Sequence, residues 1–145
     1  MIDPRWIGHV LPTTTFEIER SRLRFFAKAI GETDPVYTDQ AAAREAGHPD
    51  LPAPPTFLFS AEMESDQKLK WLLEADIPLS KVLHGEQTFS YHRMVYAGDV
   101  VSVTSRVVDI YQKRNGALEF VVFDTQIARG EQAVCDSRGV LVIRH

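Results

Sequence analysis

The chain has 145 residues, of which 44% are hydrophobic, and this is enough for one domain with a buried core. Its formal net charge is −4, and its 16 Lys and Arg residues are scattered and outnumbered by 20 acids, which argues against a nucleic-acid-binding surface. No apolar run approaches the ~18 residues that span a membrane, and the N-terminus lacks the apolar segment of a secretory signal, so we expect a cytoplasmic protein without a membrane partner.

The first part of the chain predicts a strand followed by two helices. Residues 13–19 alternate and carry β-branched side chains, which favours a strand. Ser21 is predicted to cap a helix that ends at Gly31, and its buried face consists of apolar residues at helical spacing: Leu23, Phe26, Ala27 and Ile30. Asp39 is predicted to cap a short helix that Gly47 closes.

Two further helices are predicted before the pattern changes. A largely apolar helix is expected to begin near Thr56, directly after Pro54 and Pro55, and to be the most buried helix of the chain. A second helix is predicted within residues 66–76, with three leucines facing inward: Leu69, Leu72 and Leu73.

From Val82 onward the hydrophobic period is two, which predicts strands. The strand segments are residues 82–95, 100–114, 118–129 and 132–144. Asn115-Gly116 between the second and third of them is a strong hairpin signal. The single cysteine, Cys135, allows no internal disulfide and is expected to be a small core residue of the last strand. Early helices followed by antiparallel strands predict an α+β domain with a sheet covered on one face.

Two stretches carry a resemblance to a known family. The first, residues 26–39, reads FAKAIGETDPVYTD, and it resembles the hydratase signature of the MaoC-like (R)-specific enoyl-thioester hydratases and dehydratases, which continues as Gly-Asp-x-Asn-Pro-Ile/Leu-His-x-Asp. Residues 82–93, VLHGEQTFSYHR, resemble a strand in the N-terminal, non-catalytic half of two-hot-dog hydratases, and AGDVVSVTSRV fits the strand that follows. The resemblance implies a single hot-dog domain over residues 1–145, with a curved antiparallel sheet wrapped around a central helix.

The departures from that signature affect its chemistry. Glu32 stands where the family has its catalytic aspartate, Tyr37 where it has histidine, and Asp34 where it has asparagine. In the family the Asp and His hold a water and act as base and acid. A phenol, with an ordinary pKa near 10, is a poor general base at neutral pH. The resemblance therefore implies an acyl-binding, non-catalytic subunit whose partner supplies the Asp–His pair, with Glu32 as the one remaining candidate for a catalytic base.

The substrate-binding candidates that the resemblance implies are Asp34, Tyr37, Thr56, Phe57 and His84. Free N–H groups at the start of the central helix, at Thr56 and Phe57, are expected to bind the thioester carbonyl oxygen. Structural roles remain open for Glu32 and for two of these positions: Glu32 can accept bonds from nearby backbone N–H groups, Asp34 can form an Asx-type turn, and His84 can be a strand residue near the central helix.

The implied partners are an acyl-CoA or acyl-ACP thioester and a second hot-dog, either a copy of this chain or a catalytic subunit. No metal or redox cofactor is expected, because the thioester itself acidifies the α-proton. Two other functions remain open. One is a thioesterase that uses Glu62 or Glu64 of the central helix, although these lie on different faces. The other is a structural protein that binds acyl thioesters.

Overall fold

The computed structural model describes all residues from 1 to 145. Four α-helices and five strands follow in the order β1 (Thr14–Glu17), α1 (Arg20–Ala29), α2 (Gln40–Glu45), α3 (Phe59–Glu64), α4 (Gln67–Glu74), β2 (Val82–Tyr91), β3 (Val100–Lys113), β4 (Leu118–Arg129) and β5 (Gln132–Arg144). Three single-turn 3-10 helices lie at Pro4–Trp6, Pro35–Tyr37 and Leu79–Lys81. None of the helices is both long and apolar enough to span a membrane.

The five strands form one antiparallel sheet in the order β1-β3-β4-β5-β2. Ala61 and Glu62 of α3 are buried against this sheet, and Trp71 and Leu72 of α4 are buried as well. A curved sheet around a short central helix is the hot-dog fold, which confirms the predicted α+β class. Strand β2 pairs only with β5, so its other side is an open edge of the sheet.

The loop between α1 and α2 follows the predicted local signals. Gly31 has φ +72° and Gly47 has φ +91°, the left-handed conformations in which glycine avoids a steric cost after a helix. The Asp39 side chain accepts hydrogen bonds from the N–H groups of Ala41 and Ala42, at 2.7 and 3.3 Å. These bonds satisfy two donors that the first turn of α2 leaves open.

Two predictions for α1 are wrong. The helix begins two residues earlier than expected, so its N-cap is Glu19, which makes no side-chain capping bond, and Ser21 lies inside the first turn. Ile30 is 51% exposed because the helix ends at Ala29 and Ile30 no longer continues its buried face. The buried positions of α1 are Leu23 and Ala27.

The two central helices also differ from the prediction. Helix α3 begins at Phe59 rather than near Thr56, because Thr56 has φ +73°, which is incompatible with a right-handed helix. In α4 the buried stripe contains Trp71 and Leu72, whereas Leu69 and Leu73 are 40% and 61% exposed. The large Trp71 ring occupies the core position against Phe123 and Trp6 and so turns both leucines to the flank of the helix.

Two apolar clusters form the core. One lies between the sheet and helices α1, α2 and α3, and it includes Phe57 and Leu23. The other lies around Trp71, Phe123 and Ile143 beneath α4. Cys135 is fully buried in the first cluster, as predicted.

Candidate functional site

The signature loop holds its two carboxylates in local hydrogen bonds. Oε1 of Glu32 accepts from the N–H groups of Thr33 and Asp34, at 2.9 and 3.0 Å. Oδ1 of Asp34 accepts from the N–H of Val36 at 3.0 Å and so begins the 3-10 turn at Pro35–Tyr37. Both side chains therefore shape the loop, and neither lines either of the two cavities that flank α3.

The first of these, the outer cavity, is defined by Tyr37, Leu58, Tyr91 and Arg93 and has a volume of about 290 Å³. It lies where β2 ends and the chain approaches α3. Tyr37, the residue in the histidine position of the signature, is the member of the signature loop that faces it. Since Glu32 is not among its lining residues, the loop places no acid–base pair in this cavity.

The Tyr91 hydroxyl takes the place that the sequence prediction gave to the carbonyl oxygen of the substrate. Its hydroxyl oxygen accepts the N–H of Thr56 at 2.7 Å, and the N–H of Phe57 donates to the Pro54 carbonyl at 3.1 Å. The prediction that these two N–H groups are free is therefore wrong. Phe57 is 2% exposed and packs edge-on against Phe26, so it is a core residue and does not line the outer cavity.

The Tyr91 hydroxyl can act as a hydrogen-bond donor. Burial raises the pKa of Tyr91 above its ordinary value, although the bond from Thr56 opposes this rise. The phenol is therefore protonated at neutral pH. Because its oxygen already accepts from Thr56, its own proton is available for an acceptor in the outer cavity. Tyr91 lies two residues before Arg93 in a strand with an alternating pattern, and that pattern does not indicate that its hydroxyl faces a cavity.

The second, the inner cavity, has a volume of about 270 Å³ and lies between α3, α4 and the β2–β5 side of the sheet. Its polar side is formed by Glu62, Asp66, Lys68, His84, Gln87 and Gly139. Its apolar side includes Phe59, Met63, Leu69, Leu72, Phe123 and Leu141. Mainly apolar walls with a few polar groups are typical of a small-molecule site, and the volume is close to the roughly 300 Å³ lower end for such sites.

His84 belongs to the inner cavity and is thus separated from Tyr37. Its ring packs edge-on against Phe59, with 5.4 Å between the ring centroids. Its Nε2 lies 3.2 Å from Oε1 of Gln87. Since that oxygen can only accept, the Nε2 of His84 carries the hydrogen of this bond. The two predicted binding residues Tyr37 and His84 therefore line different cavities on the two sides of α3.

Glu62 is the centre of a buried polar network. It is 3% exposed, and its carboxylate accepts from Lys68 Nζ at 2.6 Å, from Thr125 Oγ1 at 3.3 Å and from the hydroxyl of Ser137. Thr125 also bonds to Ser105 at 2.8 Å. These three hydroxyl residues lie opposite one another on β3, β4 and β5. The network supplies the partners that a buried charge needs.

Neither of the two α3 glutamates considered as a thioesterase nucleophile or base, Glu62 and Glu64, is well placed for that role. Three of the roughly four acceptor positions of the Glu62 carboxylate are occupied. Glu64 is exposed and pairs with Arg22 instead. Burial, reinforced by the nearby Glu62 and Asp136 carboxylates, raises the pKa of the Cys135 thiol to about 11, so this thiol is not a nucleophile at neutral pH. No group of three or more His, Cys, Asp or Glu side chains is placed to hold a metal ion.

A sheet wrapped around a short helix, with cavities on both sides of that helix, defines a hot-dog protein. A family model described as "FAS1-like, dehydratase domain region" matches residues 5–137. The chain therefore belongs to this dehydratase-region family.

Relatives of known sequence carry the family name UPF0336. A UPF0336 protein of Streptomyces coelicolor is 44% identical over 96 residues, which span 66% of this chain and 64% of that relative, somewhat less than two thirds of its length. A UPF0336 protein of Saccharopolyspora erythraea is 34% identical over 145 residues, which span 99% of this chain and 92% of the relative.

Solved structures share the fold at low sequence identity. The C-terminally truncated HadBC (3R-hydroxyacyl-ACP dehydratase) complex from Mycobacterium tuberculosis matches with a TM-score of 0.80 and 22% identity, covering 94% of this chain and 96% of the other. The ChsH1-ChsH2 complex from the same organism gives a TM-score of 0.76 at 22% identity, with coverages of 94% and 84%. A MaoC-like dehydratase gives 0.82 at 20% identity, covering 96% of this chain and 42% of the other.

Proposed function

We propose that this chain is an acyl-binding, non-catalytic hot-dog subunit of an (R)-3-hydroxyacyl-thioester dehydratase, which in reverse is an enoyl-thioester hydratase. The observation that carries the proposal is the state of the signature loop. Glu32 is held by two backbone N–H groups of its own loop, and a phenol, Tyr37, stands in the place of the histidine. A partner subunit would supply the Asp–His pair.

The reaction explains why these two changes matter. In hydration, a base takes a proton from water as the oxygen bonds to carbon 3, and an acid gives a proton to the α-carbon. Loss of one positioned acid or base typically costs about 10²–10⁴ in rate. A phenol is a poor base at neutral pH, and the Glu32 carboxylate outside the outer cavity cannot reach a substrate there without leaving its backbone partners.

The chain would contribute the surface that holds the thioester. The outer cavity would take the thioester end, with Tyr37 and the Tyr91 hydroxyl facing it and with Asp34, Thr56 and Phe57 holding its walls in place. The acyl chain would follow β2 past α3 towards His84 and the inner cavity. Both cavities lie beside β2, and Gln87 and Tyr91 are four residues apart on it, which corresponds to roughly 13 Å. The thiol of the thioester would belong to CoA or to ACP.

The open β2 edge supports a second hot-dog as the partner. The outer cavity includes Tyr91 at the end of this edge, so a subunit that pairs with β2 would bring its own residues next to Tyr37. Two of the structures with the same fold are, by their names, complexes: HadBC and ChsH1-ChsH2. A heteromer with a catalytic subunit is therefore our preferred assembly.

Hydration of crotonyl-CoA tests this proposal directly. We expect the purified chain to stay far below the ordinary enzyme range of roughly 1–10³ s⁻¹, and we expect Glu32→Gln to change nothing. Addition of a hot-dog subunit with the intact Gly-Asp-x-Asn-Pro-x-His signature should restore turnover. Turnover within that range by the isolated chain, abolished in Glu32→Gln, would overturn the proposal and make Glu32 the catalytic base.

A further inference from the structure

Gln87, which lines the inner cavity, carries a buried hydrogen-bond donor without an acceptor. Nε2 of Gln87 is buried and has no partner, whereas Oε1 of the same amide is bonded to His84. A buried donor left unpaired costs about 1–3 kcal/mol, so such groups are rare in folded proteins.

Lys68 brings further donors to the same place. Its ammonium group has three N–H groups, and one of them is used by Glu62 at 2.6 Å. The Lys68 side chain is 19% exposed, and its Nζ lies 5.3 Å from the centre of the Phe123 ring. Glu62 is itself held by Thr125 and Ser137, so the ammonium group is kept at the cavity rather than extended into solvent.

Gly139 makes room for the side chain of Gln87. A Cβ at this position would lie 3.0 Å from Oε1 of Gln87 and 3.9 Å from Nζ of Lys68. The φ of Gly139 is outside the left-handed region that favours glycine, so backbone conformation does not explain the residue. What the glycine provides is room for the Gln87 amide oxygen, near the Lys68 ammonium group on the polar side of the cavity.

From this arrangement we propose that the inner cavity binds an aliphatic chain that carries a hydroxyl or carbonyl oxygen, and that this oxygen accepts from Gln87 Nε2 and Lys68 Nζ. Phe59, Leu72 and Leu141 contact the chain itself. Where the chain is an acyl thioester, a step that rests on the proposed function, this is a second oxygen, remote from the reacting carbons at the outer cavity. The substrate class is then an acyl thioester with an oxygen substituent along its chain.

Hexan-1-ol tests the cavity independently of any thioester. We expect saturable binding that shifts the side-chain amide resonance of Gln87, identified by its loss in Gln87→Leu. That variant should bind hexan-1-ol about five- to tenfold more weakly, the effect of one buried hydrogen bond. It should also unfold at the same or a higher temperature, because it removes an unpaired donor. Gln126→Leu on the exposed side of β4 is the matched control and should leave binding unchanged.

The outcomes separate this inference from the proposed function. Absence of hexan-1-ol binding, equal affinity in Gln87→Leu, or a clear loss of stability in that variant would overturn the inference, since each would mean that the amide serves the fold or a trapped water. If hexan-1-ol binds as expected, decanoyl-CoA and ω-hydroxydecanoyl-CoA are then compared. Failure of both thioesters to bind would refute the proposed function alone, whereas equal affinity for both would refute the assignment of the substrate class.

Discussion

Asp50 anchors the segment after α2 to the start of α1. Its carboxylate forms a two-pronged pair with the Arg20 guanidinium, at 2.7 and 3.1 Å, and accepts the N–H of Leu51 at 2.7 Å. The bond from Arg20 is the main cause that lowers the pKa of Asp50 from 3.8 to about 2, with burial opposing it and Leu51 adding to it. The ionised carboxylate is therefore favoured in the folded state.

This pKa predicts a defined pH window for the effect of Asp50→Asn. Because the pKa is lower in the folded state, the stabilisation is fully present above about pH 3.8 and is lost as the pH falls towards 2. We expect Asp50→Asn to unfold at lower urea than the parent at pH 7, and the two curves to converge near pH 2. Asp109→Asn, at an exposed carboxylate without an ion pair, should show no such convergence. If the difference in stability between Asp50→Asn and the parent does not change with pH, the effect comes from packing rather than from the charge of Asp50.

Single residues were predictable from sequence where their partners are local. Asp39 bonds to N–H groups two and three residues ahead, and Asp34 to one two residues ahead, so residue type and spacing suffice. Glu62 is different, because its partners Thr125 and Ser137 lie 63 and 75 residues further along the chain. Only the pairing of β4 with β5 brings those two hydroxyls beneath α3.

At the scale of the element, the turn between β3 and β4 has the geometry that its sequence predicts. Asn115 and Gly116 have φ +52° and +86°, and the N–H of Ala117 donates to the Arg114 carbonyl at 3.2 Å. Positive φ at both central residues is the feature of a type I′ turn. Arg114 also has a positive φ, +53°, so the connection between the paired residues Lys113 and Leu118 is longer than a two-residue loop.

We expect the double variant Asn115→Ala, Gly116→Ala to lower the stability by about 2 kcal/mol, because a left-handed conformation costs an alanine roughly 1–2 kcal/mol. Thermal or urea unfolding measures this loss. Glu131→Ala in the next hairpin is a suitable control, since Glu131 is exposed and has no positive φ. Unchanged stability of the double variant would mean that these two residues do not close the β3–β4 hairpin as described.

Helix ends and faces were less predictable than turns. The apolar run near Thr56 suggests a longer helix than α3, but the two prolines and the left-handed Thr56 delay its start to Phe59. In α4, several leucines compete for the buried stripe, and sequence periodicity alone does not show that Trp71 takes it. The contacts of Trp71 with Trp6 and Phe123 come from distant parts of the chain.

At the scale of the whole molecule, strand order is the feature that local pattern leaves open. Alternation predicts the four long strands, but β2 pairs with β5 at the far edge rather than with β3, which follows it in sequence. The hot-dog arrangement was therefore expected from family resemblance, not from periodicity. Local pattern does not predict the two cavities either, because β2 and α3 become neighbours only through this strand order.

The position of β2 at an open edge leads to a prediction about assembly. An edge strand of ten residues without proline invites pairing with another chain. Leu83 and Tyr91 on this strand are 45% and 50% exposed, as expected for residues that a second subunit would cover. We expect a dimer with continuous sheets. In a homodimer both sites would lack the Asp–His pair, and with a catalytic partner one productive site would remain.

Sedimentation tests this assembly. The 16.4 kDa chain should sediment at about twice its mass at micromolar concentration, or as a heterodimer with its partner. Lysines at Leu83 and Thr88 should dissociate either dimer, because lysine on an edge strand opposes pairing with a second edge. Thr15→Lys on β1, the opposite edge, is the control and should leave the mass unchanged. A stable monomer with and without the partner, or dissociation caused by Thr15→Lys alone, would rule out pairing through β2, and a subunit that cannot pair there could not receive catalytic residues beside Tyr37.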